Sequence, residues 1–165
     1  MRRLYLANSL GFSSLTSPAI AAIAARLERE GFEVFEPFTA NKDLGAEIAR
    51  LQSTEKDFNV LKNRLRAISE EIGRRNAGAI ERSTDVIAIL DGGLDVDSGV
   101  AAEIGYAAGK GKRVFGLRTD FRTGGDNPGS TINLQVEHFI AATGGSIAPD
   151  VETLIGLMSK ARAAK

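Results

Sequence analysis

The stretch Val86–Gly109 constrains the fold more than any other. An apolar run, Val86-Ile87-Ala88-Ile89-Leu90, has strand character and stops abruptly in Asp91-Gly92-Gly93. After an acidic loop, Ser98 and Gly99 open a small-residue segment in which Val100, Ala101, Ile104, Ala107 and Ala108 fall at helical spacing. Strand, loop and helix in that order place the loop at the carboxyl end of a strand, where open α/β sheets bind their ligands. Glu103 stands in the early turns of the helix, near its positive end, which favours an ionised carboxylate. Asp97 comes immediately before Ser98, the expected cap.

The rest of the chain repeats the alternation. Leu4–Ala7 reads as a first strand. Pro18 opens a helix carrying Ile20, Ile23, Ala24 and Leu27, which stops near Gly31. Phe32–Phe35 is a second strand, and Asn41–Thr54 is ambiguous, with a short helix expected. A long helix from about Lys56 to Arg82 has an inward stripe of Leu61, Leu65, Ile68, Ile72 and Ile80. Asn76 lies on that stripe, so its amide needs a partner, either a neighbouring loop or a ligand. Val86–Leu90 is the third strand, and Lys112–Leu117 is the fourth, followed by a polar loop to Gly129. Thr131–Ala142 fits a helix with Leu134, Phe139 and Ile140 inward. Gly144–Ala148 is a fifth strand, and Val151–Ala161 a closing helix. Alternation of this kind implies a parallel sheet with right-handed crossovers. The expected fold is one α/β domain across the whole chain, a three-layer, flavodoxin-like (doubly wound) five-stranded parallel sheet.

Composition narrows the partners. Lys plus Arg equals Asp plus Glu at 21 each, so no net field favours nucleic acid or an anionic membrane. There is no cysteine, hence no thiolate chemistry. No apolar run approaches the ~18 residues of a membrane span, and the N-terminus lacks the apolar stretch of a signal peptide, so a cytoplasmic protein is expected. The single His138, on a helix beside Phe139, reads as a surface or interface residue rather than part of a metal site. The loop Asn8–Ser14 has Gly11 and serines, Ser9 among them, but lacks the spacing and lysine of a P-loop.

The remaining chemistry is acidic: Asp91, Asp95, Asp97 and Glu103, all near one strand end. Paired carboxylates serve glycosidic-bond chemistry, in which one acts as nucleophile on an oxocarbenium-like centre, and they also serve Mg²⁺. A solvated acidic loop is the plain alternative, and Asp95 fits it. Glu103 differs, because Ala101, Ala102 and Gly105 leave room for a ligand beside it.

Four separated patches carry a specific resemblance. They are Tyr5-Leu6-Ala7, Asn76 with Ile80, Asp97-Ser98-Gly99-Val100-Ala101-Ala102-Glu103-Ile104-Gly105-Tyr106-Ala107, and Ile132-Asn133-Leu134. With the Thr119-Asp120-Phe121-Arg122 loop, the chain resembles the nucleoside 2-deoxyribosyltransferase family over nearly its whole length. The resemblance implies that Glu103 attacks the anomeric carbon of a 2′-deoxynucleoside and expels the base. A second free base then takes the sugar, with no cofactor. It implies that Tyr5 orients Glu103, and that Asp97 and Asn133 hold the 5′-hydroxyl. Asn133 would come from a neighbouring subunit, in a homo-oligomer. Relatives often carry aspartate near Asn76 and methionine at Gln135, so Asn76 is expected to bind the base without acting as an acid. Asp91, Asp95 or solvent would then supply the proton. Ser9, Gly99 and Gln135 are further expected contacts.

A rival function is N-glycosidase action on 2′-deoxynucleosides or their 5′-monophosphates. Related hydrolases carry small hydroxyl residues where this chain has Asp97 and Asn133. A desolvated aspartate facing a phosphate costs several kcal/mol, so Asp97 favours the free nucleoside. A non-catalytic nucleoside- or nucleotide-binding module, with Glu103 merely structural, is the third reading.

Overall fold

The computed structural model describes residues 2–163. Five strands, β1 (Arg2–Ala7), β2 (Phe32–Phe35), β3 (Asp85–Ile89), β4 (Arg113–Leu117) and β5 (Ile147–Ala148), form one sheet in the order β2-β1-β3-β4-β5. Every pairing is parallel. The helices are α1 (Ser17–Arg29), α2 (Pro37–Ala40), α3 (Lys42–Thr54), α4 (Phe58–Arg82), α5 (Ser98–Gly109), α6 (Leu134–Ala142) and α7 (Val151–Ala163). A 3₁₀ turn, Leu10–Phe12, follows β1.

The two-residue period of the strands divides the core. Leu4, Leu6, Ile87, Ile89, Phe115 and Leu117 point to one face, where they meet Ile20 and Leu27 of α1 and Leu154 and Met158 of α7. Tyr5, Ala7, Val86, Ala88 and Val114 point to the other, where α4, α5 and α6 contribute Ile80, Ile104 and Ile140. Both faces are covered, which is why the central strands are continuously apolar from Leu4 to Ala7, Val86 to Ile89 and Val114 to Leu117. This is the three-layer, doubly wound fold expected from the alternation. Strand order reverses between β1 and β3, so the crevice for a ligand lies beyond their carboxyl ends.

Several boundaries differ from the sequence reading. Asn41–Thr54 holds a full helix, α3, packed by the buried Leu51 and tied to α4 by Arg75–Asp43 and Arg64–Glu47 ion pairs. The short α2 was not expected; Glu36 caps it by accepting from Phe38 N and Thr39 N. Helix α6 starts at Leu134 rather than Thr131. The Asn133 side chain caps it, and Glu137 turns back to accept from Thr131 N and Ile132 N. That fold-back leaves Leu134 on the outside, 51% exposed, and Val136 takes the inward position. On α4 only Ala79 and Ile80 are fully buried, because its first turns run beyond the sheet. Leu61, Leu65, Ile68 and Ile72 are half-covered.

Candidate active site

Tyr5 sits on β1 with its side chain fully buried and its ring stacked on Phe35, centroids 5.6 Å apart. Its hydroxyl donates to Glu103 Oε1 at 2.5 Å. Burial, reinforced by the neighbouring Glu103 charge, pushes the phenol far above its ordinary pKa, so it remains a neutral donor. Glu103 lies in the second turn of α5 and is half-buried. Burial pushes its carboxyl up from the ordinary glutamate value. The bond from Tyr5 opposes that rise, and the charge of Asp97 adds to it. The helix start therefore does not dominate Glu103, as position alone suggested; desolvation does.

Asp97, not Ser98, is the N-cap of α5. Its Oδ1 accepts from Gly99 N at 2.9 Å and Val100 N at 3.1 Å. The cap holds the turn that carries Gly99 and Val100 along the wall of a cavity of about 480 Å³. Asp97 and Glu103 line the same cavity, and so does Asn76 from α4. Asn76 Oδ1 accepts from Asn41 Nδ2 at 3.1 Å, so the amide has a protein partner, and the residue lines the cavity.

The opposite wall escaped sequence reasoning. Asn8 follows β1, and its Nδ2 donates to Glu36 Oε1 at 3.0 Å, joining the turns after β1 and β2. Phe12 and Phe38 meet edge to face at 4.7 Å. A Cβ on Gly11 would lie 2.1 Å from the Phe38 ring, so only glycine allows this approach. Ile48 and Ile72 complete the apolar side, with the Asn41 amide beside them. The Glu36-Pro37 start of α2 was the local signal for this wall, an acidic cap before a first-turn proline.

The other expected residues lie elsewhere in this protomer. Asp91 accepts from Thr119 N, Thr119 Oγ1 and Asp120 N, which anchors the loop after β4. Asp95 is exposed and bonds Val96 N. Ser9 precedes the 3₁₀ turn, and Asn133 and Gln135 are at the start of α6; none of the three lines the cavity. Among the described residues, no three His, Asp or Glu side chains converge as a metal site. Asp91→Ala is expected to loosen the Thr119–Arg122 loop and lower Tm, while lowering turnover less than tenfold or so, because Asp91 does not face the cavity. Thermal melts and steady-state rates check this.

A cavity with Phe, Ile and Val walls, two carboxylates and amides at fixed points suits a flat neutral heterocycle joined to a small polar ring. Comparison with known proteins bears on which. A family model for nucleoside 2-deoxyribosyltransferases matches residues 4–136. The chain belongs to the nucleoside 2-deoxyribosyltransferase family. That match spans Tyr5, Asn76, Asp97, Glu103 and Asn133, so the family assignment covers every element of the cavity. A search of curated proteins returned no match. Among solved structures, a conserved protein from Enterococcus faecalis is 22% identical, with a TM-score of 0.69 over 97% of this chain and 98% of that one. A 2-deoxyribosyltransferase from Leishmania mexicana is 19% identical, TM-score 0.63, over 94% and 95%. A CMP N-glycosidase from Clostridium botulinum is 15% identical, TM-score 0.53, over 92% and 93%. At these identities the three share the fold of this family member. No helix among the described residues is long and apolar enough to cross a membrane.

Proposed function

We propose that the protein moves a 2-deoxyribosyl group between nucleobases by double displacement, with Glu103 as nucleophile. The observation that carries this reading is the Tyr5–Glu103 hydrogen bond at the wall of a cavity large enough for a nucleoside. Tyr5 occupies Oε1, which leaves Oε2 to attack the anomeric carbon. The N-glycosidic bond breaks, its electron pair leaves with the base, and the base takes a proton. The product is an ester between Glu103 and the sugar. The nitrogen of a second base attacks the same carbon and releases its proton to solvent, the ester C–O bond breaks, and the carboxylate returns. Two displacements at one carbon give net retention, and each is easier than direct exchange.

The other cavity residues suit binding roles. Asp97 has one oxygen committed to the cap and a second to accept from the sugar 5′-hydroxyl. The same carboxylate would repel a 5′-phosphate, which favours free nucleosides over nucleotides. Asn76 cannot serve as a general acid. Asn133 does not line the cavity of its own chain, in keeping with a homo-oligomer in which it completes a neighbour's site. The half-covered Leu61, Leu65 and Ile68 on α4 support such an assembly.

The test is incubation with 2′-deoxyinosine plus adenine, and separately with 2′-deoxyadenosine 5′-monophosphate, followed by chromatography. Appearance of 2′-deoxyadenosine without free sugar is the expected result. Release of deoxyribose 5-phosphate from the nucleotide would replace the transferase with a nucleotide N-glycosidase. Binding without turnover of either would leave only a nucleoside-binding module.

A further inference from the structure

Arg118 directly follows β4 and is only 4% exposed. Among the described residues its guanidinium meets backbone carbonyls alone. Nη1 donates to Leu90 O at 2.8 Å and Nη2 to Arg122 O at 2.9 Å; Nη2 also reaches Leu94 O at 3.5 Å, and Nε finds no acceptor. Asp91 and Asp120, the nearest acids along these segments, are committed elsewhere. Asp91 accepts from Thr119 Oγ1 and Asp120 N, and Asp120 pairs with Arg122. A desolvated cation without a counter-charge is costly, and carbonyl dipoles offset only part of that cost. Filling the space would need no charge. What a guanidinium adds is a planar fork that bonds two segments at once.

The two segments lead to the two ends of the sugar site. Leu90 and Leu94 belong to the turn that runs from β3 to Asp97, the α5 cap at the cavity wall. Arg122 belongs to the loop that runs from β4 to Asn133, the α6 cap. Gly124 of that loop meets the same carbonyl, since a Cβ there would lie 1.9 Å from Leu94 O. Between this junction and Asp97, Val96 packs against the core, so the turn has little slack. Arg118 itself does not line the cavity.

We infer that Arg118 is a positioning residue for the 5′ end of the nucleoside. By locking the turn that ends in Asp97 to the loop that ends in Asn133, it aims the uncommitted oxygen of Asp97 at the 5′-hydroxyl. The role rests on the nucleoside reading above and adds to it a residue, outside the cavity, on which recognition of that hydroxyl depends.

The experiment compares 2′-deoxyinosine with 2′,5′-dideoxyinosine, which lacks only the 5′-hydroxyl. Exchange with adenine gives kcat and KM, and titration calorimetry on a Glu103→Gln background gives affinity. The natural chain is expected to favour the 5′-hydroxyl roughly tenfold to a hundredfold. Arg118→Lys keeps the charge and loses the fork. It is expected to cut that preference to about threefold or less through KM for 2′-deoxyinosine, while kcat and the dideoxy compound change less than about threefold. A merely structural Arg118 would weaken both nucleosides alike and preserve the preference, which overturns the inference. Gly124→Ala presses on the Leu94 carbonyl with Arg118 intact and should lower the preference in the same way; if Arg118→Lys does not fold, an unchanged preference in Gly124→Ala overturns the inference. A natural chain indifferent to the 5′-hydroxyl overturns it as well. Exchange with the preference intact in the variants removes this role of Arg118 and leaves the transferase. Loss of the preference by calorimetry, in a chain that exchanges no base, does the reverse.

Discussion

Glu103→Gln is expected to reduce base exchange at least about a thousandfold, or about 4 kcal/mol of transition-state stabilisation. The amide is nearly the same shape and retains an oxygen to accept from Tyr5, but it is a poor nucleophile and cannot form the ester. Nucleoside affinity should change by less than tenfold or so, because the cavity walls are untouched. The pH behaviour follows from the direction in which burial moves Glu103. Attack requires the anion, so turnover falls as pH drops through the folded-state pKa, and this acid limb lies above the ordinary glutamate range. Stability runs the other way. With the folded pKa raised, the neutral carboxyl is favoured by folding, a contribution present at low pH and lost as pH rises through the folded value. Glu103→Gln removes that loss. The variant should therefore be at least as stable as the natural chain at neutral pH, as thermal melts would show. A variant that loses activity by unfolding would contradict this account of Glu103.

Tyr5→Phe carries the second largest effect. The hydroxyl does two things to Glu103: it fixes Oε1 at 2.5 Å, and it opposes the rise that burial imposes. A hydrogen bond to a charged group is worth roughly 1.5–3 kcal/mol, so kcat/KM should fall roughly tenfold to a hundredfold. Removing an influence that lowers the carboxyl pKa moves the acid limb of the rate profile to higher pH. The ring's stacking on Phe35 is retained, and Tyr5 has no other hydrogen-bond partner among the described residues. The melting temperature should fall by no more than roughly ten degrees, the folding contribution of that one bond. A fall in rate with an unmoved acid limb would make Tyr5 a packing residue.

What could be read from sequence follows from how local each signal was. Strand β2 was placed to the residue, and the start of helix α5 to within one. Gly31, at φ +84°, ends the helix before β2, and the Asp97-Ser98-Gly99 cap starts α5. Glu103 and Asn76 stood out for a related reason, since each lies on a helix whose period is plain, and Asp97 because it directly precedes one; all three line the cavity. The wall made by Asn8, Phe38 and Asn41 had one local signal, Glu36-Pro37, but its assembly was not legible, because it depends on contacts between distant segments. Glu36 meets Asn8 across 28 positions, and Asn41 meets Asn76 across 35. Asn41 also reverses its local tendency: the residue type announces a cap, and the tertiary structure turns the amide elsewhere. For Asn133 and Gln135, position in a single chain leaves the role open: neither lines the cavity, and Asn133 was expected to serve a neighbour's site.

The central claim is a covalent deoxyribosyl-Glu103, and rapid acid quench followed by peptide mass spectrometry tests it most directly. Mixed with 2′-deoxyinosine and no acceptor base, the chain should gain one 2-deoxyribosyl group on the peptide containing Glu103, and later addition of adenine should discharge it as 2′-deoxyadenosine. Turnover with no adduct, or an adduct on any other side chain, would contradict the account.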